Sequence, residues 1–315
     1  SGKTVRRVLW FSRLKPTITT SNSPRGRADR SITCAVSWRN ISVMPMKRIL
    51  PASCWRRISG SGAVEESIRR TLSRARTRDA VLGEEHGSTG SSSRRWVIDP
   101  IDGTKNFVRG VPVWATLISL VVDDEVVLGV VSAPALQRRW WAAVGQGAWT
   151  GKSLMKATRC QVSDVRRLED ASFSYSSISG WEDRGIGEDL LALMRRVWRT
   201  RAYGDFWSYM LLAEGAVDLA AEPELEVYDM AALDIIVREA GGRFTSLAGQ
   251  DGPWGGNALA SNGHLHEAAL SFLGSLTDDD PDWPRSGPGT VSDLRAHRLR
   301  AGESHQPGAV PEADD

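Results

Sequence analysis

The run Trp96-Val97-Ile98-Asp99-Pro100-Ile101-Asp102-Gly103-Thr104 sets three apolar residues directly against two aspartates three positions apart. A short apolar run bounded by turn residues reads as a buried strand, so a turn over 99–104, stiffened by Pro100, delivers both carboxylates at a strand end. The pattern recurs. Ala80-Val81-Leu82 reads as a short strand running into Gly83-Glu84-Glu85, and Asp229 opens a helix that carries Met230, Leu233, Ile236, Val237 and Ala240 on one side and ends at Gly241-Gly242. Taken singly, each acid has a plain reading: acids at loop starts face solvent, and Asp229 can cap its helix.

The surrounding pattern is that of a mixed α/β chain. Residues 64–72 space their apolar positions as one helical face, and 88–93 is a Ser/Gly-rich loop. Two long β-type runs, 113–122 and 126–133, flank Asp123-Asp124-Glu125 as a hairpin. Trp140-Trp141-Ala142-Ala143 reads as a strand closed by Gly145 and Gly147, and 217–221 as another. Residues 188–199 and 205–214 read as amphipathic helices, with Asp205 a possible N-cap of the second.

Charge divides the chain. Of its 40 basic and 38 acidic residues, residues 1–62 hold thirteen and one, leaving 27 and 37 for the rest. The first segment is rich in Arg and Ser and has no sustained apolar period; three readings compete for it, a segment out of frame, a targeting segment, and a basic arm for nucleic acid or membrane. The expected organisation is therefore an atypical basic segment over 1–62, a folded domain over 63–275, and a disordered tail over 276–315, rich in Pro, Gly and Asp. An acidic body argues against a nucleic-acid binder. No run of eighteen apolar residues occurs, so no membrane span is expected. Cys34, Cys54 and Cys160 are too scattered for a disulfide framework, which with the lack of a signal-peptide core predicts a cytoplasmic protein. His86, His264, His266, His297 and His305 show no zinc spacing.

The run from Trp96 through Lys105-Asn106-Phe107 closely resembles the signature of the inositol monophosphatase superfamily. Gly83-Glu84-Glu85 lies upstream at a compatible distance, and Tyr228-Asp229-Met230-Ala231-Ala232 with Glu239-Ala240-Gly241-Gly242 is similar to the second signature. The resemblance covers about residues 63–275. It implies the layered α-β-α-β-α sandwich of the inositol monophosphatase and fructose-1,6-bisphosphatase type, a homodimer, and Mg²⁺-dependent hydrolysis of a small phosphate ester. It assigns Glu84, Asp99 and the Ile101 carbonyl to a first metal ion and Asp99, Asp102 and Asp229 to a second. Glu84 and Thr104 would activate the attacking water, and the N–H groups of Gly103 and Thr104 would receive the phosphate.

Residues 109–116, 132–141, 203–207 and 221–224 resemble the histidinol-phosphatase branch, which acts in histidine biosynthesis. There Asp205 and Glu222 fall where family members contact the alcohol part of the substrate, and acids suit a substrate with an amine and an imidazole. An inositol or other polyol phosphate is the alternative. One family element is missing: an Asp-x-x-Thr-x-x-Asp-type segment, whose last aspartate would fall near Ser61. The expectation is a disturbed N-terminal layer and a chain of weak or no activity.

Overall fold

The computed structural model describes residues 60–274, so the readings made for 1–59 and for the tail lie outside the described residues. Helix α1 (Gly60–Ala75) contains the expected apolar face and begins upstream of it. Strand β1 (Ala80–Gly83) pairs antiparallel with β2 (Gly87–Thr89) and parallel with β3 (Arg94–Asp102). Two expectations change here. The supposed loop at 88–93 contributes an edge strand, and the supposed turn at 99–104 is strand as far as Asp102, with a register shift against its neighbour between Asp99 and Asp102. Pro100 lacks an N–H for the ladder, and a bulge is where a strand accommodates that.

After the short helix α2 (Thr104–Arg109), strands β4 (Ala115–Val122) and β5 (Glu125–Ala133) form the expected hairpin. Asp123 and Asp124 both take positive φ, 49° and 63°, the turn geometry that matches strand twist and that Asp tolerates. Strands β6 (Arg138–Ala143), β7 (Ala148–Gly151) and β8 (Ala157–Arg159) complete an eight-stranded sheet in the order β2-β1-β3-β4-β5-β6-β7-β8.

The second half builds a five-stranded sheet. Strand β9 (Ser172–Tyr175) is followed by α3 (Ile178–Asp183), α4 (Gly187–Met194) and β10 (Arg199–Arg201). The helix expected over 188–199 thus stops at Met194. Leu190 and Leu193 are fully buried, whereas Trp198, which would have to extend their face, is 68% exposed. Helix α5 (Asp205–Ala213), β11 (Leu219–Glu222), α6 (Val227–Glu239), β12 (Arg243–Thr245), β13 (Ala258–Ser261) and α7 (His266–Leu273) follow, with sheet order β10-β9-β11-β13-β12.

The layers run α1, eight-stranded sheet, α5 and α6, five-stranded sheet, then α3, α4 and α7. This is an α-β-α-β-α sandwich. Its main core lies around α5 and α6, where Tyr209, Met210, Ile235 and Ile236 meet Leu117, Val131 and Trp140 of the large sheet. A smaller cluster of Leu72, Val81, Trp96, Ile98 and Leu128 seats α1 on the opposite face. Among the described residues, α1 is the whole of that outer layer.

Candidate metal and phosphate site

Three backbone anchors shape the acids of this site. Asp99 Oδ1 accepts the N–H of Ile101 at 2.8 Å, within its own bulge. Asp102 Oδ2 accepts the N–H of Phe206 at 2.8 Å, fastening the end of β3 to the first turn of α5. Asp229 Oδ2 accepts the N–H of Glu226 at 2.8 Å. Asp229 therefore does not open its helix: α6 starts at Val227, Glu226 is the N-cap and Asp229 is the third helical residue of a capping box. The helix-capping role weighed for Asp229 is real, and it coexists with a position in the site.

Each of these carboxylates uses one oxygen on a backbone donor, and oxygens of all three lie within 4.8 Å of one another. Such crowding disfavours ionisation. Burial, followed by Asp102, Asp229 and Glu84, pushes Asp99 well above the carboxylate range. Burial, Asp205 and Asp229 do the same to Asp102. Burial pushes Asp229 up to about 7, against the Glu226 N–H, which pulls it down. Buried acids that repel one another and offer hard oxygen donors are the chemistry of a divalent-cation site, and the residues present fit such an ion.

All nine residues singled out from the sequence line one pocket: Glu84, Asp99, Ile101, Asp102, Gly103, Thr104, Asp205, Glu222 and Asp229. Glu84 arrives on the tight β1–β2 turn, its N–H bonded to the carbonyl of Ile98 at 3.1 Å. Thr104 Oγ1 donates to the Ile101 carbonyl at 2.8 Å. Gly103 takes φ +77°, and a Cβ there would lie 2.9 Å from the Val113 carbonyl and 3.3 Å from Asp205 Oδ2, so only glycine fits. Asp205 is the first residue of α5, at φ 50°, with Gly204 as N-cap. Its carboxylate caps nothing; Oδ2 accepts Asn106 Nδ2 at 2.9 Å.

Burial, then Asp205 and Asp229, drive Glu222 to about 8, and the Tyr209 hydroxyl pulls it the other way. Burial and then Glu222 hold the Tyr209 phenol well above its ordinary range. Lys105, Phe206, Leu225 and Leu233 also line the pocket, and Lys105 is the one cation among the lining residues. Lys105 stood inside the motif but carried no assignment. Tyr209, behind Glu222, was missed; its spacing of four from Asp205 along one helix was the available signal. Ser61, near which the resemblance leads one to expect an aspartate, lies in the first turn of α1 and donates to the Glu85 carboxylate.

A five-layer α/β domain that converges carboxylates from a strand and a helix on one pocket defines a metal-dependent phosphatase class. Residues 61–277 match the inositol monophosphatase family, and this chain belongs to that family. It is 63% identical over 215 residues to a histidinol-phosphatase of Streptomyces coelicolor, covering 67% of this chain and 81% of that protein. A histidinol-phosphatase of Mycobacterium tuberculosis is 59% identical over 212 residues, covering 67% and 82%. Among solved structures, the extragenic suppressor protein suhB of Bartonella henselae matches with a TM-score of 0.62 and 31% identity, over 69% of this chain and 84% of that one.

Proposed function

We propose that this chain is a Mg²⁺-dependent phosphomonoesterase that hydrolyses L-histidinol phosphate to L-histidinol and phosphate, a step of histidine biosynthesis. The observation that carries the reading is the pair Asp205 and Glu222, which adds two acids to a pocket already holding Asp99, Asp102 and Asp229, and so suits an alcohol that bears positive charge. Identity near 60% to histidinol-phosphatases supports the same choice.

In this reading Glu84, Asp99 and the Ile101 carbonyl would hold one ion, and Asp99, Asp102 and Asp229 would hold a second. When bound, the ions supply a more acidic water and neutralise charge on the ester oxygens. Thr104 donates its hydroxyl proton to the Ile101 carbonyl, which leaves its oxygen lone pairs free to accept from the attacking water. Glu84 takes the proton. The N–H groups of Gly103 and Thr104 receive the phosphate. Glu222 and Asp205 bind the amine and imidazole end.

The phosphatase unit is residues 63–275, working as a homodimer in the cytosol; light scattering checks the oligomer. Comparing kcat/KM for L-histidinol phosphate and inositol 1-phosphate at saturating Mg²⁺ tests the substrate. A preference for the histidinol ester is expected, and a preference for the inositol ester would move the chain to the polyol-phosphate branch. The same assay reads kcat, expected to fall below that of relatives that carry the Asp-x-x-Thr-x-x-Asp-type segment.

A further inference from the structure

Among the described residues, four buried side-chain polar atoms have no hydrogen-bond partner, and two of them belong to residues that interact with each other: the Tyr209 hydroxyl and Oε1 of Glu222, which lines the pocket. Tyr209 is fully buried and Glu222 is 7% exposed. The two groups are close enough for each to shift the other's ionisation, yet neither atom has a partner at hydrogen-bonding geometry.

A buried hydroxyl without a partner is destabilising, so the tyrosine needs a reason. Packing does not give one. The ring lies against Phe244, with centroids 5.7 Å apart and planes at 39°, and a phenylalanine would fill the same space. Nor does the region tolerate loose polar groups in general, since Ser208, the preceding residue, pairs with Ser174 at 2.7 Å. The hydroxyl sits on α5 one turn after Asp205, the strained residue whose carboxylate faces the same pocket. Glu222 ends β11 on the other side. The two orphan atoms are a donor and an acceptor that could satisfy each other.

We propose that Tyr209 is a positioning residue for substrate discrimination: when a cationic group of a phosphate ester binds Glu222, the Tyr209 hydroxyl donates to Glu222 Oε1 and fixes that carboxylate for the cation. The inference rests on the reading of Glu222 as the contact for the charged end of the substrate. It assigns Tyr209 no part in the reaction at phosphorus. A neutral ester does not engage Glu222 as a charged partner, and so gains nothing from the hydroxyl.

The test measures KM and kcat for L-histidinol phosphate and for glycerol 2-phosphate, at saturating Mg²⁺, in wild type, Tyr209→Phe, Glu222→Gln and the double variant. The readout is the ratio of the two KM values, which partial loss of folded enzyme leaves unchanged. Tyr209→Phe is expected to shift the ratio about tenfold against histidinol phosphate, the scale of a hydrogen bond to a charged group, with the kcat ratio constant and a melting temperature no lower than wild type. In the Glu222→Gln background it should shift the ratio no further. If Glu222→Gln moves the ratio and Tyr209→Phe does not, the inference falls and the reading of Glu222 stands. An equal shift by Tyr209→Phe in both backgrounds also overturns it. A ratio unmoved by Glu222→Gln removes the reading of Glu222 itself, and the inference with it.

Discussion

The eight-stranded sheet has two faces, and the chain furnishes them unequally. On the inner face, Ala115, Leu117, Ser119 and Val121 of β4 are at most 3% exposed beneath α6. On the outer face, their neighbours Thr116, Ile118, Leu120 and Val122 are only half-buried, and α1 is the one described helix that covers them. The acids divide in the same way. Asp102 is tied to α5, and Asp229 rides on α6, so both belong to the sealed layer. Glu84 alone hangs from the β1–β2 turn that α1 grips from outside. Most of the site thus inherits its rigidity from the deepest core, and one acid depends on the thinner layer.

The largest effect should come from the inner acids. Asp99→Asn and Asp229→Asn each remove a charge from the oxygen cluster while keeping its shape. Each is expected to lower kcat by about a thousandfold or more, since ion stabilisation of a phosphoryl-transfer transition state has no substitute here. Without added Mg²⁺, both variants should melt at or above wild type, because mutual repulsion is relieved. Unchanged turnover at saturating Mg²⁺ would remove either residue from the site.

Next comes a direct comparison of the faces. Leu117 and Ile118 are consecutive on β4 and point to opposite sides. Leu117→Ala empties a fully packed position and should cost about 3 kcal/mol, whereas Ile118→Ala, from a half-buried position, should cost roughly 1 kcal/mol. Denaturant midpoints read the difference. Equal losses would show that the outer face is as tightly packed as the inner.

The sequence discloses these two regions to different degrees. The inner acids were legible because turn residues and apolar runs bracket them, and the β4–β5 hairpin was legible from its paired aspartates. Strands β12 and β13 were not, since Arg243–Thr245 and Ala258–Ser261 are too short and too small in side chain to show a period. Two residues did not stand out in the sequence, for chemical reasons. Tyr209 was lost within an apolar helical run, and Glu65, four before Arg69, has the spacing of a solvent-exposed pair although its side chain is fully buried.

That buried pair supplies the smallest and most specific prediction. Glu65 Oε1 accepts Arg69 Nε at 2.6 Å, and Oε2 accepts the N–H of Glu85 at 2.8 Å. Arg69 continues to Thr89 Oγ1 at 2.9 Å and to the Gly87 carbonyl, so one helix holds both ends of the turn that carries Glu84. The fit is close: a Cβ on Gly83 would lie 2.1 Å from Glu65 Oε1, which is why the residue before Glu84 is glycine. Glu65→Gln turns an amide donor toward either the Arg69 guanidinium or the Glu85 N–H, so one of the two bonds is lost to a donor facing a donor. The Glu84 turn loosens, while Asp99, Asp102 and Asp229 keep their own anchors. The Mg²⁺ concentration for half-maximal activity should rise by roughly three- to tenfold, with kcat at saturating Mg²⁺ within about threefold of wild type. The melting temperature should fall by a few degrees, on the order of 1–2 kcal/mol. A lower melting temperature with an unchanged Mg²⁺ requirement would mean that the outer layer stabilises the sheet without reaching the site, and the tie between α1 and Glu84 would be structural only.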